Sequence, residues 1–414
     1  MEPNVVRFRF GAVIAPAGSP RPSTPGKGEK PCDADAGSLV VEERAGTELG
    51  DIAEAWDDLA RRALERNVFA ERPFALAAMQ HLAGAQGTCA VLVWRERDAE
   101  RQLAGLLLLA ARRRLGAPGL LRGWHVPLSG LGTPLIDADD GGAVAAALLD
   151  HLSRRSRAGA GLVLPMLAAE GSVATALAEA ARTRGLPVHM LDRHERAVLN
   201  GGQDAERLLH AGLKAKKLKD LRRQLRRLGD HGRVRIEEAR DPQGVRDATE
   251  VFLGLEASGW KGARGTALVQ DHGTATFVRS MTRLLAREGR CHVETLSVDE
   301  MPVAAALVLQ SGDQAWFWKI AYDERFARFS PGVQLTLALT HRQLAETTLT
   351  RTDSCAIADH PMIDHLWRER MAVTDLFIGL RPAGDARTWT ALRLELMRRA
   401  LRAAAKRAYH RLKL

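Results

Sequence analysis

The run Gln314–Ala345, QAWFWKIAYDERFARFSPGVQLTLALTHRQLA, gathers residues suited to binding an anion. Its pattern predicts a strand over Gln314–Asp323, a loop closing at Phe329-Ser330-Pro331-Gly332, and a helix over Gly332–Ala345. A helix N-terminus offers unpaired backbone N–H groups and about half a positive charge, so it attracts phosphate. Gly332 lets a ligand approach the backbone closely, Pro331 sets the turn, Ser330 can cap or donate, and Arg325 and Arg328 add positive charge. Pro-Gly is also ordinary punctuation between strand and helix, and that plainer reading stays open.

Two further clusters could do chemistry. Trp260-Lys261-Gly262, followed by Arg264-Gly265-Thr266-Ala267-Leu268, places an aromatic, a lysine and several glycines just after a helix. Such a loop can fold over a substrate, as binding loops on rigid scaffolds do. It can equally be a glycine-terminated helix whose Trp260 packs on the core. The third cluster is Asp353-Ser354, then Asp359-His360-Pro361-Met362-Ile363-Asp364-His365. A carboxylate and an imidazole there could take a proton from an attacking amine or hydroxyl. Asp359 could instead cap the helix that follows, with His365 on the surface.

The elements that must position these clusters can be read along the chain. Residues 1–37 hold no secretory apolar core and are rich in Pro, Gly, Ser and charge, so a flexible tail is expected. In residues 38–200 the pattern predicts strand Ser38–Glu43, helices Glu48–Glu65 and Pro73–Ala83, and strands Cys89–Arg95 and Leu103–Ala111. After the glycine-rich stretch Arg112–Asp137 come helix Gly142–Ser156, strand Gly161–Pro165, helix Val173–Arg184 and strand Pro187–Asp192. Residues 201–380 repeat that order: strand Arg233–Glu238, helices Pro242–Ser258 and His272–Glu288, and strands Cys291–Val298, Pro302–Gln310 and Gln314–Asp323. Helix Gly332–Ala345, strand Thr352–Ala358, helix Pro361–Arg370 and strand Val373–Ile378 complete it. The first half lacks one strand of the meander, which must lie within Arg112–Asp137. An antiparallel meander leading into βαβ elements predicts an α/β (α+β) fold with mixed sheets, not a doubly wound nucleotide fold. Two copies of one unit account for the order, and the two halves are expected to superpose as two mixed sheets. Asp204–Gly229 joins them as a helix with a leucine stripe (Leu208, Leu209, Leu213, Leu218, Leu221, Leu225, Leu228) and a Lys/Arg face, and a second basic helix follows over Ala386–Leu412 within residues 381–414.

Composition narrows the function classes. The 414 residues are 46% hydrophobic and 27% charged, a globular balance with room for two domains. No apolar stretch reaches the roughly 18–20 residues of a membrane span, and a cytoplasmic location is expected. Cys32, Cys89, Cys291 and Cys355 form no CxxC pair, so neither a zinc site nor a disulfide framework is expected. The net charge of +10 suits phosphate-bearing cofactors, nucleic acid or acidic lipid without choosing among them.

Together GWKG…GTAL, WKIAYDERFARFSPG and DSCAIADHPMIDHLW resemble the GNAT-type acetyltransferases called CelD-like, found with cellulose and exopolysaccharide biosynthesis genes, and more distantly the FemAB-type aminoacyl transferases. The resemblance covers roughly residues 38–380 and is most specific over 250–380. It implies tandem GNAT-like domains of the acyl-CoA N-acyltransferase fold, with acyl-CoA, acetyl-CoA first among donors, on the second copy and no metal. The donor pyrophosphate maps onto Phe329–Gly332, with Arg328 beside it. The loop reads Arg328-Phe329-Ser330-Pro331-Gly332-Val333-Gln334 where GNAT enzymes usually carry Gln/Arg-x-x-Gly-x-Gly/Ala.

On that reading the acceptor attacks the thioester directly. Asp359 and His360 are the candidate bases, and Tyr322 can protonate the leaving thiolate. Trp260, Lys261, Gly265, Lys319, Asp323 and Asp364 are expected to bind substrate. The acceptor would be an amine or hydroxyl, on a sugar or cell-envelope precursor. Two other readings stay open. One is aminoacyl transfer from a charged tRNA, favoured by the basic helix Lys214–Arg227; nucleic acid is not the expected partner, because no aromatic residues interleave there for base stacking. The other is a non-catalytic scaffold docking on an acidic membrane through the two basic helices.

Overall fold

The computed structural model describes residues 38–98, 100–111, 119–155 and 159–412. The tail 1–37 with Cys32, and residues 112–118 of the glycine-rich stretch, lie outside them. The first half runs β1 (Ser38–Ala45), α1 (Ala53–Arg62), α2 (Arg72–His81), β2 (Cys89–Arg97), β3 (Glu100–Leu109), β4 (Leu120–Arg122), β5 (Leu135–Ile136), α3 (Gly141–Arg155), β6 (Gly161–Ala168), α4 (Ser172–Arg182) and β7 (Val188–Asn200). Helices α5 (Ala205–Gly212) and α6 (Ala215–Gly229) then lead to β8 (Val234–Ala239), α7 (Pro242–Ser258), α8 (Trp260–Ala263), α9 (His272–Arg287), β9 (Cys291–Val298), β10 (Met301–Ser311) and β11 (Gln314–Tyr322). The chain finishes with α10 (Pro331–Ala345), β12 (Arg351–Asp353), α11 (Ile363–Leu366), β13 (Glu369–Gly379) and α12 (Ala386–Leu412).

Local signals set many of these bounds. Helix α7 begins where Asp241 accepts from the Gln243 and Gly244 N–H groups, with Pro242 pre-set for the first turn. Helix α9 starts in the same way on Asp271, which accepts from Thr274 N–H at 2.7 Å. The missing meander strand of the first half is β4. It pairs in parallel with β6, and the bonds Ala110 N–H to Arg122 C=O and Trp124 N–H to Leu108 C=O tie it to β3.

Strand order reveals the architecture. One sheet runs β1-β2-β3-β5, and the other runs β4-β6-β13-β7-β12-β11-β10-β9-β8. Across the β3–β4 junction, reading inward from β1 gives β1, β2, β3, β4 and β6 of the first half, then β13, the last strand of the second. Reading inward from β8 gives the corresponding five of the second half, then β7, the last strand of the first. The final strands are thus exchanged. Strand β13 pairs antiparallel with β6 and β7 pairs antiparallel with β12, while β13 and β7 pair with each other across the middle. The expected pair of separate mixed sheets is therefore corrected: the halves share a sheet. Periodicity marks a strand and its faces, but the partner of a strand is a non-local choice.

Three other expectations are corrected. The Asp204–Gly229 helix breaks at Leu213 and Lys214, both extended, because Gly212 packs against the chain at His365, where an added Cβ would lie 3.0 Å from a carbonyl oxygen. Strand β12 stops at Asp353, well short of Ala358. Beyond it Cys355 N–H bonds to the Asp353 carboxylate and Ala356 N–H to Ser354 Oγ, so side chains take the donors a strand would need. The expected helix Pro361–Arg370 shrinks to the single turn α11, since Glu369 onward belongs to β13.

The sheet is covered on both faces. Helices α2, α7 and α9 share one core with Trp316 and Trp318 of β11. Leucines of α5, α6 and α10 share another with Phe317 and Phe329. Helices α3 and α4 cover the first half with β3 and β6.

Candidate active site

Strands β11 and β12 pair in parallel at three positions, Gln314–Arg351, Ala315–Thr352 and Trp316–Asp353. Then β12 ends while β11 runs on to Tyr322, leaving a splayed opening in the sheet. A bulge lies at the same point: Leu307 faces Lys319 and Val308 faces Phe317, so Trp318 is the extra residue. A bulge sets two successive side chains toward one face. Trp318 and Lys319 both turn to the α7 side, with the Lys319 ammonium 5.4 Å from the Trp318 ring centre. Desolvation, then the Lys261 ammonium, holds Lys319 below the usual lysine range against the opposing pull of Glu256.

Glu256 of α7 organises the second cluster. It is buried, one oxygen takes Lys261 Nζ at 2.6 Å, and the other takes Leu268 N–H at 2.8 Å. Trp260 N–H donates to Glu324 at 2.8 Å, which fastens this loop to the connection after β11. The Trp260 ring is 50% exposed, with Arg264 5.0 Å and Lys261 5.9 Å from its centre. Gly265 takes a left-handed φ of +70°, which glycine supplies without strain, and turns the loop back. Trp260, Lys261 and Lys319 are therefore brought together. The carboxylate of Asp323 is engaged elsewhere: it caps the 3-10 turn Glu324–Phe329 and pairs with Arg325 at 2.6 Å.

That turn delivers the chain to α10. Ser330 has φ +54°, a left-handed conformation in a non-glycine residue, and its side chain makes no capping bond. Pro331 has no N–H, and the first α10 bond joins Gln334 N–H to Ser330 C=O. The Gly332 and Val333 amides are thus first-turn donors, aimed out of the helix end. Gly332 lies against Tyr322, where an added Cβ would be 3.4 Å from the ring. Phe329 is buried, with its ring 5.2 Å from that of His231, while Arg328 stacks 4.6 Å over Phe329 and reaches His231 Nε2 at 3.3 Å. No acidic residue occupies the first turn of α10, and Gln334 Nε2 donates to Leu221 C=O at 2.9 Å, fixing the basic helix α6 beside it. The turn, Tyr322 and Arg328 form one region.

The third cluster follows the end of β12. His360 Nδ1 accepts from the Met362 and Ile363 N–H groups at 3.3 and 3.4 Å, so His360, not Asp359, caps the α11 turn. Asp359 is exposed with φ +56°, and Asp364 lies 3.9 Å from Arg370. Among the described residues no hydrogen bond or ring contact joins Asp359, His360 or Asp364 to Tyr322, Lys319 or Ser330. Cys355 at φ +51°, with Ser330 and Asp359, makes three strained non-glycine residues around the opening.

Other residues of the site gave no sequence signal strong enough to single them out. Arg196 of β7 is buried in an ion pair with Asp353 of β12 and donates to Gly130 C=O at 2.9 Å. The loop 123–134 of the first half thereby closes one wall of the opening, and Trp318 Nε1 adds a bond to Leu128 C=O at 2.8 Å. An Arg within an apolar strand segment, RAVL, is the one hint the sequence carried. Farther along the sheet, Glu238, His292 and Glu294 approach closely enough to hold a metal ion. Arg240 and Arg342 pair with the two carboxylates at 2.8 and 3.0 Å and supply the positive charge there.

Residues 215–360 match the family model described as an acetyltransferase (GNAT) domain. Among curated proteins none matches the chain. Among solved structures the chain resembles FemX, with a TM-score of 0.54 at 11% identity over 79% of this chain and 95% of that one. It also matches a tandem GNAT protein from the clavulanic acid biosynthesis pathway, with a TM-score of 0.43 at 15% identity over 84% of this chain and all of that one. The fold is the acyl-CoA N-acyltransferase fold, and the chain carries a GNAT-type acyltransferase domain.

Proposed function

We propose that the second half transfers an acyl group, acetyl first among the candidates, from acyl-CoA to an amine or hydroxyl at the opening between β11 and the end of β12. The observation that carries this reading is the α10 N-terminus: outward amides at Gly332 and Val333, no acidic residue in the first turn, and the cationic helix α6 alongside. Such an end favours the donor's phosphates, with Ser330 and Arg328 at its rim. Phe329 and Pro331 shape the turn from inside, both being buried.

The acceptor nitrogen or oxygen attacks the thioester carbonyl, the C–S bond breaks, and the acceptor's proton passes to Asp359 or to the His360 Nε2, directly or through water. Tyr322, whose hydroxyl has no partner among the described residues and whose ring touches Gly332, gives its proton to the leaving thiolate. Lys319 stands on the other face of β11, where Trp260, Lys261 and the Gly265 turn form an acceptor wall. Asp323 and Asp364, held by Arg325 and Arg370, are the remaining candidate acceptor contacts. The CelD-like resemblance directs the acceptor toward a sugar or exopolysaccharide precursor, and the reaction toward the cytoplasm.

The packing of α6 against the donor turn favours a second reading, in which the donor is an aminoacyl-tRNA of the FemAB type and α6 follows its phosphates. Calorimetry with acetyl-CoA, alongside filter binding of tRNA over a salt series, separates the two. Saturable acetyl-CoA binding without RNA affinity supports the first; steeply salt-dependent RNA binding without CoA affinity replaces it with the second.

A further inference from the structure

The last helix has two unlike faces. Its inner face docks α12 against β6 and β13. Thr388 Oγ1 donates to Ala160 C=O at 3.0 Å, Ala391 and Leu392 are buried, and Arg399 pairs with Asp375 at 2.8 Å. Glu395 is the one acidic residue of the helix, and it is buried with Arg122, Arg398 and Arg399 around it. Those guanidiniums overcome the cost of its burial and hold its carboxyl down to about 2. Nothing negative is left on the outside.

The outer face is apolar and exposed. Of the eleven large hydrophobic side chains exposed in the described chain, five lie here: Trp389, Leu394, Leu396, Met397 and Leu401. Leu394, Met397 and Leu401 are spaced i, i+3, i+7 and make one stripe, with Met397 54% and Leu401 66% exposed. Arg393 and Arg407, both exposed, fall on one flank of it. Residues 400–408 are exposed, so the helix runs on beyond the part buried at Ala391, Leu392 and Glu395. A helix of 27 residues is about 40 Å long, enough to lie along a surface well beyond its anchored part.

We infer that α12 is a peripheral docking element for an anionic lipid surface: the Leu394-Met397-Leu401 stripe enters the acyl boundary, and the flanking Arg393 and Arg407 side chains meet lipid phosphates. An apolar stripe bordered by arginines, on a helix whose sole carboxylate is hidden, is complementary to a surface that is apolar below and negative above. The helix lies on the bilayer, since no helix of the described chain is long and apolar enough to cross one. This holds whichever donor the active site uses.

The test is co-sedimentation of the full-length protein with vesicles of phosphatidylcholine alone and with phosphatidylglycerol added. Wild type is expected to partition at least about tenfold more strongly onto the anionic vesicles, and to be released as salt rises. The double variant Met397→Glu/Leu401→Glu touches only exposed positions and should lose about tenfold of that binding with its circular dichroism spectrum kept. Arg393→Gln/Arg407→Gln should bind severalfold more weakly and with less salt sensitivity. Equal partition onto both vesicles, or a Glu double variant that binds as wild type does, would overturn the inference. So would light scattering that finds a lipid-free dimer which the same Glu pair dissolves, because the stripe would then belong to a second copy of this chain.

Discussion

The two halves build the same opening and fill it differently. In each, two neighbouring strands of the sheet pair in parallel for three residues and then part: β4 from β6, and β11 from β12. In the first half the chain itself refills the gap. Loop 123–134 swings out and returns so that Gly132 N–H bonds to Met166 C=O at 3.1 Å, so tightly that a Cβ on Gly132 would lie 2.3 Å from the Pro165 oxygen. Helix α3 then starts after the exposed Asp139-Asp140, carboxylates that repel an anion from its amides. In the second half the eight residues Asp323–Ser330 separate β11 from α10, with no acid in its first turn and a basic helix alongside. One copy thus keeps an anion-ready opening, and the other supplies the loop that walls it. A duplicated fold can retain its frame while short insertions and a few charges set the two openings apart.

The sharpest way to break that comparison is Gly332→Leu. The new side chain meets the Tyr322 ring and the proposed donor path together, and kcat/KM should fall by about a hundredfold or more with the donor Kd raised in calorimetry. The matching change Gly141→Leu at the start of α3 should leave donor binding alone; equal losses from both would mean that both copies bind donor. Tyr322→Phe removes only a hydroxyl and should lower kcat about a hundredfold while sparing the donor Kd, as followed by thiol release.

Arg196→Leu addresses stability. It leaves the Asp353 carboxylate buried without its partner across the exchanged strands, and should cost about 3–5 kcal/mol in urea unfolding. A loss below about 1 kcal/mol would show that the β7–β12 junction does not depend on this pair. Gly132→Ala should cost about 2 kcal/mol by crowding Pro165. Because its loop also walls the second-half opening, acceptor KM should rise while donor Kd stays fixed.

The smallest effect concerns pH. Burial raises Glu294 from 4.5 to about 7, against the pull of Arg342, and lowers His292 from 6.5 to about 4. The Glu294 contribution is fully present below pH 4.5 and is lost as pH rises through about 7. That of His292 is present above pH 6.5 and is lost as pH falls through about 4. The two slopes oppose one another except near neutrality, where Glu294 titrates alone. Thermal unfolding should therefore show stability falling by about 1 kcal/mol just above pH 6.5, and Glu294→Gln should abolish the fall.

The sequence by itself determined the element order and much of its punctuation. Pro242–Ser258, Cys291–Val298 and Ala386–Leu412 have the bounds their periodicity predicts, because apolar spacing, an Asp cap and a proline act within a few residues. It also drew attention to Ser330-Pro331-Gly332 and to the Trp260-Lys261 loop, whose chemistry is written in adjacent residue types. Only the tertiary structure decided which strands pair, and so that β7 and β13 cross between halves. It alone turned Lys319 to the face of Trp318, since a bulge in β11 exists only against β10. It gave the capping role to His360 over Asp359 and joined Arg196 to an Asp353 lying 157 positions away. These outcomes rest on contacts between distant segments, whose energy depends on what the rest of the chain has already placed beside them, and no local window of sequence holds that information.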